Sequence, residues 1–137
     1  ISFGSETVFN TGTTYGIQLS YDTTKNRVVC AYRDNSNANY GKTVAGTVSG
    51  TSITFGSEYT FASAYASPFE VVYDSVNNKN VVFYSDGSEY GKYIVATLDE
   101  SNNSFTFGTA AFFKTSRQNL LRELFLEQAF PLQAKQQ

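Results

Sequence analysis

A nine-residue motif that recurs at a fixed spacing constrains the fold of this chain more than any other feature. The motif occurs three times, as ISFGSETVF at residues 1–9, ITFGSEYTF at 53–61 and FTFGTAAFF at 105–113, and both intervals are 52 residues long. A period of this length, carried by strand-forming residues, is typical of repeat proteins in which each unit is one small sheet stacked on the next.

The residues between these motifs also repeat. Residues 21–34 align with residues 73–86 at the same offset, which then falls to 50 and places Tyr-Gly-Lys at 40–42 over its second occurrence at 90–92. The sequence therefore predicts a tandem β-repeat domain followed by a tail. The domain, residues 1–114, contains unit one (about 1–52), unit two (about 53–104) and a third partial repeat (105–114), and the tail is residues 115–137.

Each unit contains four stretches with the alternating pattern of β-strands. The second stretch, residues 27–33 in unit one, is apolar at successive positions, which predicts a central strand covered on both faces. Residues 22–26 and 74–78 both begin with Asp and contain Asn, which favours tight turns between antiparallel strands. The predicted fold class is all-β, with two four-stranded antiparallel blade repeats of propeller type, an extra strand and a short C-terminal helix.

The composition and charge narrow the class of function. The chain has 10 Tyr and 12 Phe but no His, Met or Trp, and its formal net charge is -2. Residues 1–113 hold six Lys or Arg against ten Asp or Glu, which argues against a nucleic-acid partner. No apolar run reaches the roughly 18 residues of a membrane-spanning helix. Cys30 lies in an apolar run and is interpreted as an inert core thiol.

The repeated phrases I-[ST]-F-G-S-E-x-x-F, Y-D-x-x-x-N-[KR] and Y-G-K resemble the blade repeats of β-propellers of the kelch and sialidase-like type. They also look like the tandem repeats of about 50 residues in surface and phage-associated proteins of marine microbes. The paired glycines and tryptophan of kelch blades and the Ser-x-Asp-x-Gly-x-Thr-Trp box of sialidases are absent. The resemblance implies stacked sheets and a recognition or scaffolding role, and it transfers no catalytic residue.

The sequence offers little for catalysis, and we predict that the chain is not an enzyme and holds no cofactor or metal. Without histidine, the usual nucleophile and base pairs and ordinary zinc sites cannot be built. The recurring pairs Asp22 and Asp74, and Asp34 and Asp86, are the alternative candidates for a paired-carboxylate site, but turn chemistry alone explains them. Residues 34–39 lack the acidic spacing of a calcium loop.

Carbohydrate binding is the main alternative to a structural role. Sugar sites combine an aromatic face with nearby amide, carboxylate or guanidinium groups. Such a mixture occurs at the ends of the second and third strands, which makes a glycan the candidate ligand. The predicted binding residues are Tyr32, Arg33, Asp34, Tyr40, Tyr84, Asp86 and Tyr90, with Lys42, Glu89 and Lys92 beside them. The competing interpretation is that Tyr32 and Tyr84 fill the core while Tyr40 and Tyr90 cover turns.

The tail has a different pattern. Thr115-Ser116 can cap a helix, residues 120–125 place apolar side chains at helical spacing, and Pro131 would end it. Three interpretations remain open: a helix that covers an open end of the repeat, a helix that docks on a partner, or foreign sequence.

Assembly is the strongest functional expectation. Two units cannot close a propeller, which needs at least about four blades. The nine-residue motif occurs three times, although the chain contains only two copies of the strands between the motifs. We expect a homo-oligomer, or a longer repeat assembly, in which the first or third motif links subunits as a strand. The predicted setting is extracellular, on a virion or on a cell surface, where Asn102 would be a formal glycosylation acceptor.

Overall fold

The computed structural model describes residues 2–114, which form nine β-strands and no helix. The strands form one curled antiparallel sheet in the order β1-β2-β3-β5-β6-β7-β8, while β4 also pairs with β3 and β9 also pairs with β7. The strands are β1 (Thr14–Asp22), β2 (Arg27–Asp34), β3 (Tyr40–Ser49), β4 (Ser52–Phe55), β5 (Tyr59–Asp74), β6 (Lys79–Asp86), β7 (Gly91–Asp99), β8 (Ser104–Phe107) and β9 (Ala111–Lys114). The predicted all-β class is confirmed, and the predicted C-terminal helix lies outside the described residues.

The long strand β5 joins the two units. Its first part, from Tyr59 to Tyr65, pairs with β3, and its second part, from Ala66 to Asp74, pairs with β6. A register shift after Pro68 breaks the ladder to β6, where a proline without an N–H is tolerated. The two predicted four-stranded units are therefore parts of one continuous sheet.

The second and third motifs have the same pairing. The second motif forms β4 and the start of β5, both of which pair with β3, and the third forms β8 and β9, both of which pair with β7. The glycine of each motif marks the break between its two strands. Gly56 N–H donates to the Ala45 carbonyl and Gly108 N–H to the Val95 carbonyl, each at 2.9 Å. Each motif is thus an interrupted strand along one neighbour.

The prediction that the first motif is also a strand is wrong for residues 2–9, which form no strand. The physical reason is that the later motifs each pair with the third strand of the unit before them, and residues 2–114 contain no third strand before the first motif. Phe9 nevertheless packs edge-on against Tyr32 at 5.1 Å between ring centroids, as Phe61 packs against Tyr84 at 5.2 Å, both with an interplanar angle of 63°.

The turns between the first two strands of each unit follow the prediction. Asn26 and Asn78 both have φ 53°, the left-handed geometry that asparagine tolerates. Asp22 accepts a hydrogen bond from the N–H of Lys25, and Asp74 accepts from the N–H groups of Val76 and Asn77. The recurring aspartates thus hold the two loops.

The core lies between the two units. We call the side of each unit that carries the Tyr32 or Tyr84 ring its front face, and the opposite side its back face. The back face of unit one, represented by Val29, Ala31 and Ala45, shares one apolar cluster with the front face of unit two. The front-face members of that cluster are Val71, Val82, Tyr84, Ile94, Ala96, Leu98 and Phe105. The curl of the sheet thus packs one unit on the other.

Candidate functional site

The two tyrosines predicted to bind a ligand lie in the core. Tyr32 is fully buried and Tyr84 is 3% exposed. The Tyr32 hydroxyl donates a hydrogen bond to the carboxylate of Glu58. Burial raises the pKa of both hydroxyls above their ordinary value. The Tyr32 ring therefore fills space within unit one, and the Tyr84 ring fills space between the two units. The Tyr32 hydroxyl has its partner in the loop before β5.

The two predicted aspartates each hold their own loop. Asp34 accepts hydrogen bonds from the N–H groups of Ser36 and Asn37 at 3.0 and 3.2 Å. Asp86 accepts from the N–H groups of Ser88 and Tyr90 at 2.9 and 3.1 Å. These loops join β2 to β3 and β6 to β7, at corresponding ends of the two units.

Asp86 also forms an ion pair. Its second carboxylate oxygen lies 2.8 Å from Lys92 Nζ. Burial acts to raise the pKa of Asp86, but the hydrogen bonds from Lys92, Tyr90 and Ser88 outweigh it and leave the pKa lowered. Lys92 Nζ also lies 4.6 Å from the centroid of the Phe112 ring, and Tyr90 packs edge-on against that ring. Tyr40 is half-buried at the start of β3.

Arg33 lies between two exposed tyrosine rings. Its guanidinium carbon lies 5.1 Å from the Tyr15 ring centroid and 4.8 Å from that of Tyr65, and Nη1 donates a hydrogen bond to the Tyr65 hydroxyl. The two rings are 49% and 40% exposed. Arg33 Nε is buried and has no hydrogen-bond partner within residues 2–114. We call Tyr15, Arg33 and Tyr65 the Arg33 cluster.

Sequence reasoning missed both tyrosines of this cluster. Tyr15 lies directly opposite Arg33 in the β1–β2 register, but a register shift between Tyr15 and Gln18 sets this pair. Counting outward from the turn at residues 22–26 would have paired Arg33 with Gly16 instead. Tyr65 lies opposite Tyr40 and beside Gly87, which brings it between the two loops. Two register shifts in the β3–β5 ladder set that position, and no sequence pattern indicates them.

The outer faces of the two units form the second candidate surface. Four central residues of unit one's back face are buried, whereas their counterparts in unit two are half-buried. The pairs are Val29 and Val81, Ala31 and Phe83, Thr43 and Tyr93, and Ala45 and Val95. Phe61 is 7% exposed and its counterpart Phe113 is 51% exposed. Phe113 contacts Phe69 and Phe83, with ring centroids 6.0 and 5.8 Å apart. The back face of unit two therefore carries an aromatic cluster that no described residue covers completely.

On the front faces, it is residues of unit one that are more exposed than their counterparts in unit two. Leu19 is 62% exposed while its counterpart Val71 is 4% exposed, and Val48 is 55% exposed while its counterpart Leu98 is 2% exposed. Phe9 covers the middle of unit one's front face by packing against Tyr32 and Phe55. The front face of unit one is thus covered at its centre, where Cys30, Tyr32 and Val44 are buried, and open at its margins around Leu19 and Val48.

Two other classes of site were assessed. Within residues 2–114, no three His, Cys, Asp or Glu side chains lie close enough together to hold a metal ion. The same residues include no helix that is long and apolar enough to cross a membrane. Comparison with protein-family models gave no match, and neither did comparison with curated proteins or with solved structures.

Proposed function

We propose that this chain is a non-enzymatic structural or adhesive module that assembles through its sheet edges, in an extracellular or virion-associated structure. The support is the pairing of the repeated motif: the second and third motifs each complete a sheet edge, while residues 2–9 do not. Phe3 is 90% exposed, whereas Phe55 and Phe107, its counterparts, are half-buried. In this proposal, residues 2–9 form a strand only when the edge of another sheet pairs with them.

The proposed assembly is propeller-like. Packing of unit one's back face on unit two's front face resembles the way blades of a propeller stack, and a ring needs about four blades or more. Two units do not close such a ring, and in this proposal further units come from other copies of the chain. The Asn-, Ser- and Thr-rich loops and the resemblance to surface and phage-associated repeats favour an extracellular or virion setting.

Replacing Phe3 tests this function. Because Phe3 makes little contact within the molecule, Phe3→Asn should leave the thermal unfolding midpoint unchanged and weaken self-association about tenfold, as expected when a strand loses its buried aromatic anchor. Val76→Asn is the matched control, since Val76 is 87% exposed in a loop outside the repeated motif. Equal association of both variants and the parent, measured by sedimentation, would contradict a role for the first motif.

The Arg33 cluster favours a second candidate function, a lectin-like propeller formed by oligomerisation. Two exposed tyrosine rings beside a guanidinium supply an apolar surface for a sugar ring and donors for its hydroxyls. Arg33 Nε is a buried hydrogen-bond donor that has no acceptor among the described residues. This cluster contains Arg33 of the predicted binding residues, and it adds Tyr15 and Tyr65 to them.

A glycan array tests the lectin function. Tyr15→Ala should abolish binding to any glycan that the parent retains, because Tyr15 is half exposed and stacks on Arg33. Tyr21→Ala is the control, since Tyr21 lies on the same strand and is similarly exposed but lies outside the cluster. An array with no glycan bound by the oligomer would remove this candidate.

A further inference from the structure

The back face of unit two is an open aromatic and apolar surface. Phe69, Val72 and Phe113 are each close to half exposed, and Phe83 and Tyr93 next to them are half-buried. Their rings contact one another, with Phe83 within 5.8 to 6.4 Å of Phe69, Tyr93 and Phe113. Contiguous exposed aromatics of this kind mark contact surfaces for other macromolecules.

The interior of the molecule shows what covers a back face. On unit one, the counterparts of Phe83 and Tyr93 are Ala31 and Thr43, and both are fully buried. The covering surface is the front face of the following unit, with Val71 and Leu98 in the same apolar cluster as Ala31. A back face of this repeat is thus buried by a front face.

The front face of unit one is covered by Phe9 and Phe55 at its centre but carries exposed apolar residues on either side of it. Leu19 and Val48 of unit one are 62% and 55% exposed, although their counterparts Val71 and Leu98 are almost completely buried. Both are apolar residues that occupy the positions used in the internal interface. The chain therefore offers both halves of that interface, at its two ends.

We propose that these two faces bind each other between molecules: the back face of unit two receives the front face of unit one from a second molecule of the same chain. This inference rests on the proposed structural function and names its partner. The contact is heterologous, because two different surfaces meet, so successive molecules either close a ring or extend into a filament.

This arrangement also gives the first motif its missing neighbour. In the internal interface, the second motif pairs with β3 of unit one while its Phe61 packs on Tyr84 of unit two. Phe9 already has the equivalent contact with Tyr32. In the proposed contact, residues 2–9 of the second molecule would lie beside the edge of β7. Because β8 and β9 occupy that edge in the single molecule, pairing there requires residues 2–9 to replace them by strand exchange.

Glycine positions fit this exchange. A Cβ at Gly41 would overlap the Phe61 ring, and a Cβ at Gly91 would overlap the Phe113 ring, so each glycine leaves room for the last phenylalanine of a motif. Gly91 would accommodate Phe9 of the second molecule in the same way. Residues 2–9, which pair with β7 in the exchange, are similar in length to the motif residues of β8 and β9 that they replace. The net stabilisation comes from burying the back face of unit two against the front face of unit one.

Two charge-introducing variants test the pairing of the faces. Leu19→Asp places a carboxylate on the front face of unit one, and Val72→Asp places one on the back face of unit two. Both positions are exposed in the single molecule, so both variants should keep the parental unfolding midpoint. Each should weaken self-association about a hundredfold, since an unpaired carboxylate would be buried at the contact. Val76→Asp, on an exposed loop away from both faces, is the control.

Mixing the two variants decides the geometry. The Leu19→Asp molecule keeps an intact back face on unit two, and the Val72→Asp molecule keeps an intact front face on unit one. An equimolar mixture should therefore form a dimer of one molecule of each variant. Sedimentation velocity should show no larger species, because the two remaining faces of that dimer each carry an Asp. A mixture that stays monomeric would overturn the head-to-tail pairing. Single variants that associate like the parent would overturn the inference while leaving the structural function standing.

The remaining outcomes separate this inference from the proposed function. If the full chain and a version ending at Lys114 are both monomeric at every concentration, the inference and the proposed function are both overturned. A full chain that is monomeric while a version ending at Lys114 forms the dimer would show that residues 115–137 occupy the face, which overturns the second molecule as its partner. Association that is lost in Phe3→Asn but kept in Leu19→Asp and Val72→Asp would support edge pairing alone.

Discussion

Units one and two share a sequence pattern but differ in which of their faces is buried. Phe61 and Phe113 occupy the same place in the repeat and lie over equivalent glycines, yet the first is 7% exposed and the second 51%. Leu98 and Val48 show the converse difference, since the unit-two residue is the buried one. Burial in this molecule is therefore set by whether another sheet lies on a face, and the open faces are the positions at which an equivalent contact is missing.

Truncating the two phenylalanines sharpens this comparison most. Phe61→Ala should lower the free energy of unfolding by about 3–5 kcal/mol, because it leaves a cavity between the units. Phe113→Ala removes the same atoms from a half-exposed site and should cost about 1 kcal/mol in the monomer. Urea denaturation of both variants below the association concentration measures the difference. Equal losses would contradict the different environments of the two rings.

The loop aspartates give the next largest effect. Asp22 is 1% exposed and accepts hydrogen bonds from Lys25 N–H at 2.9 Å and from Asn80 Nδ2 at 3.0 Å, so it links the first loop to β6. Asp22→Ala leaves both donors without this partner and should cost about 2–3 kcal/mol. Asp74→Ala, at the equivalent exposed loop, should cost clearly less. A larger loss for the Asp74 variant would show that the link between units contributes little.

The ion pair of unit two gives a pH-dependent effect. The lowered pKa of Asp86 stabilises the fold above the unfolded-state value of 3.8, and this contribution is lost as the pH falls through the lower pKa of the folded state. Asp86→Asn should therefore cost about 1 kcal/mol near neutral pH, and the cost should shrink as the pH falls below 3.8 and the carboxylate becomes protonated. Urea midpoints of both proteins at several pH values measure this. A cost independent of pH would contradict the role of the charge.

The core thiol gives the smallest effect. Cys30 is 1% exposed, burial raises its pKa to about 12, and the equivalent residue of unit two is the fully buried Val82. Cys30→Val should change the free energy of unfolding by about 0.5 kcal/mol, because the same environment accepts valine one unit later. The parent thiol should react with a thiol reagent only on unfolding. Rapid labelling of the native protein would contradict its burial.

Much of the fold was predictable because it depends on local patterns. Alternation and turn chemistry predicted the strands within each unit, and the asparagines at residues 26 and 78 have the predicted left-handed geometry. The strand expected at residues 2–9 was wrong, since a strand needs a neighbour and sequence similarity among the motifs does not supply one. The continuous sheet through β5 was also missed, because the change of partner near Ala66 has no local signal.

The candidate surfaces were less predictable. Periodicity shows that Val48 and Leu98 are equivalent, but it does not show which of the two is covered, because coverage depends on how the units stack. The Arg33 cluster depends on Tyr65, whose position follows from register shifts rather than from spacing. Local chemistry thus determined the strands and turns, whereas long-range packing determined the surfaces open to a partner.

The molar mass of the full chain in solution, measured by light scattering over a concentration series, tests the central claim most directly. If the open faces bind each other, the mass should rise with concentration above that of the 15.1 kDa monomer, towards a discrete ring or an open-ended series. A constant mass of one chain at every concentration would contradict the account, because both open faces would then lack the partner proposed for them.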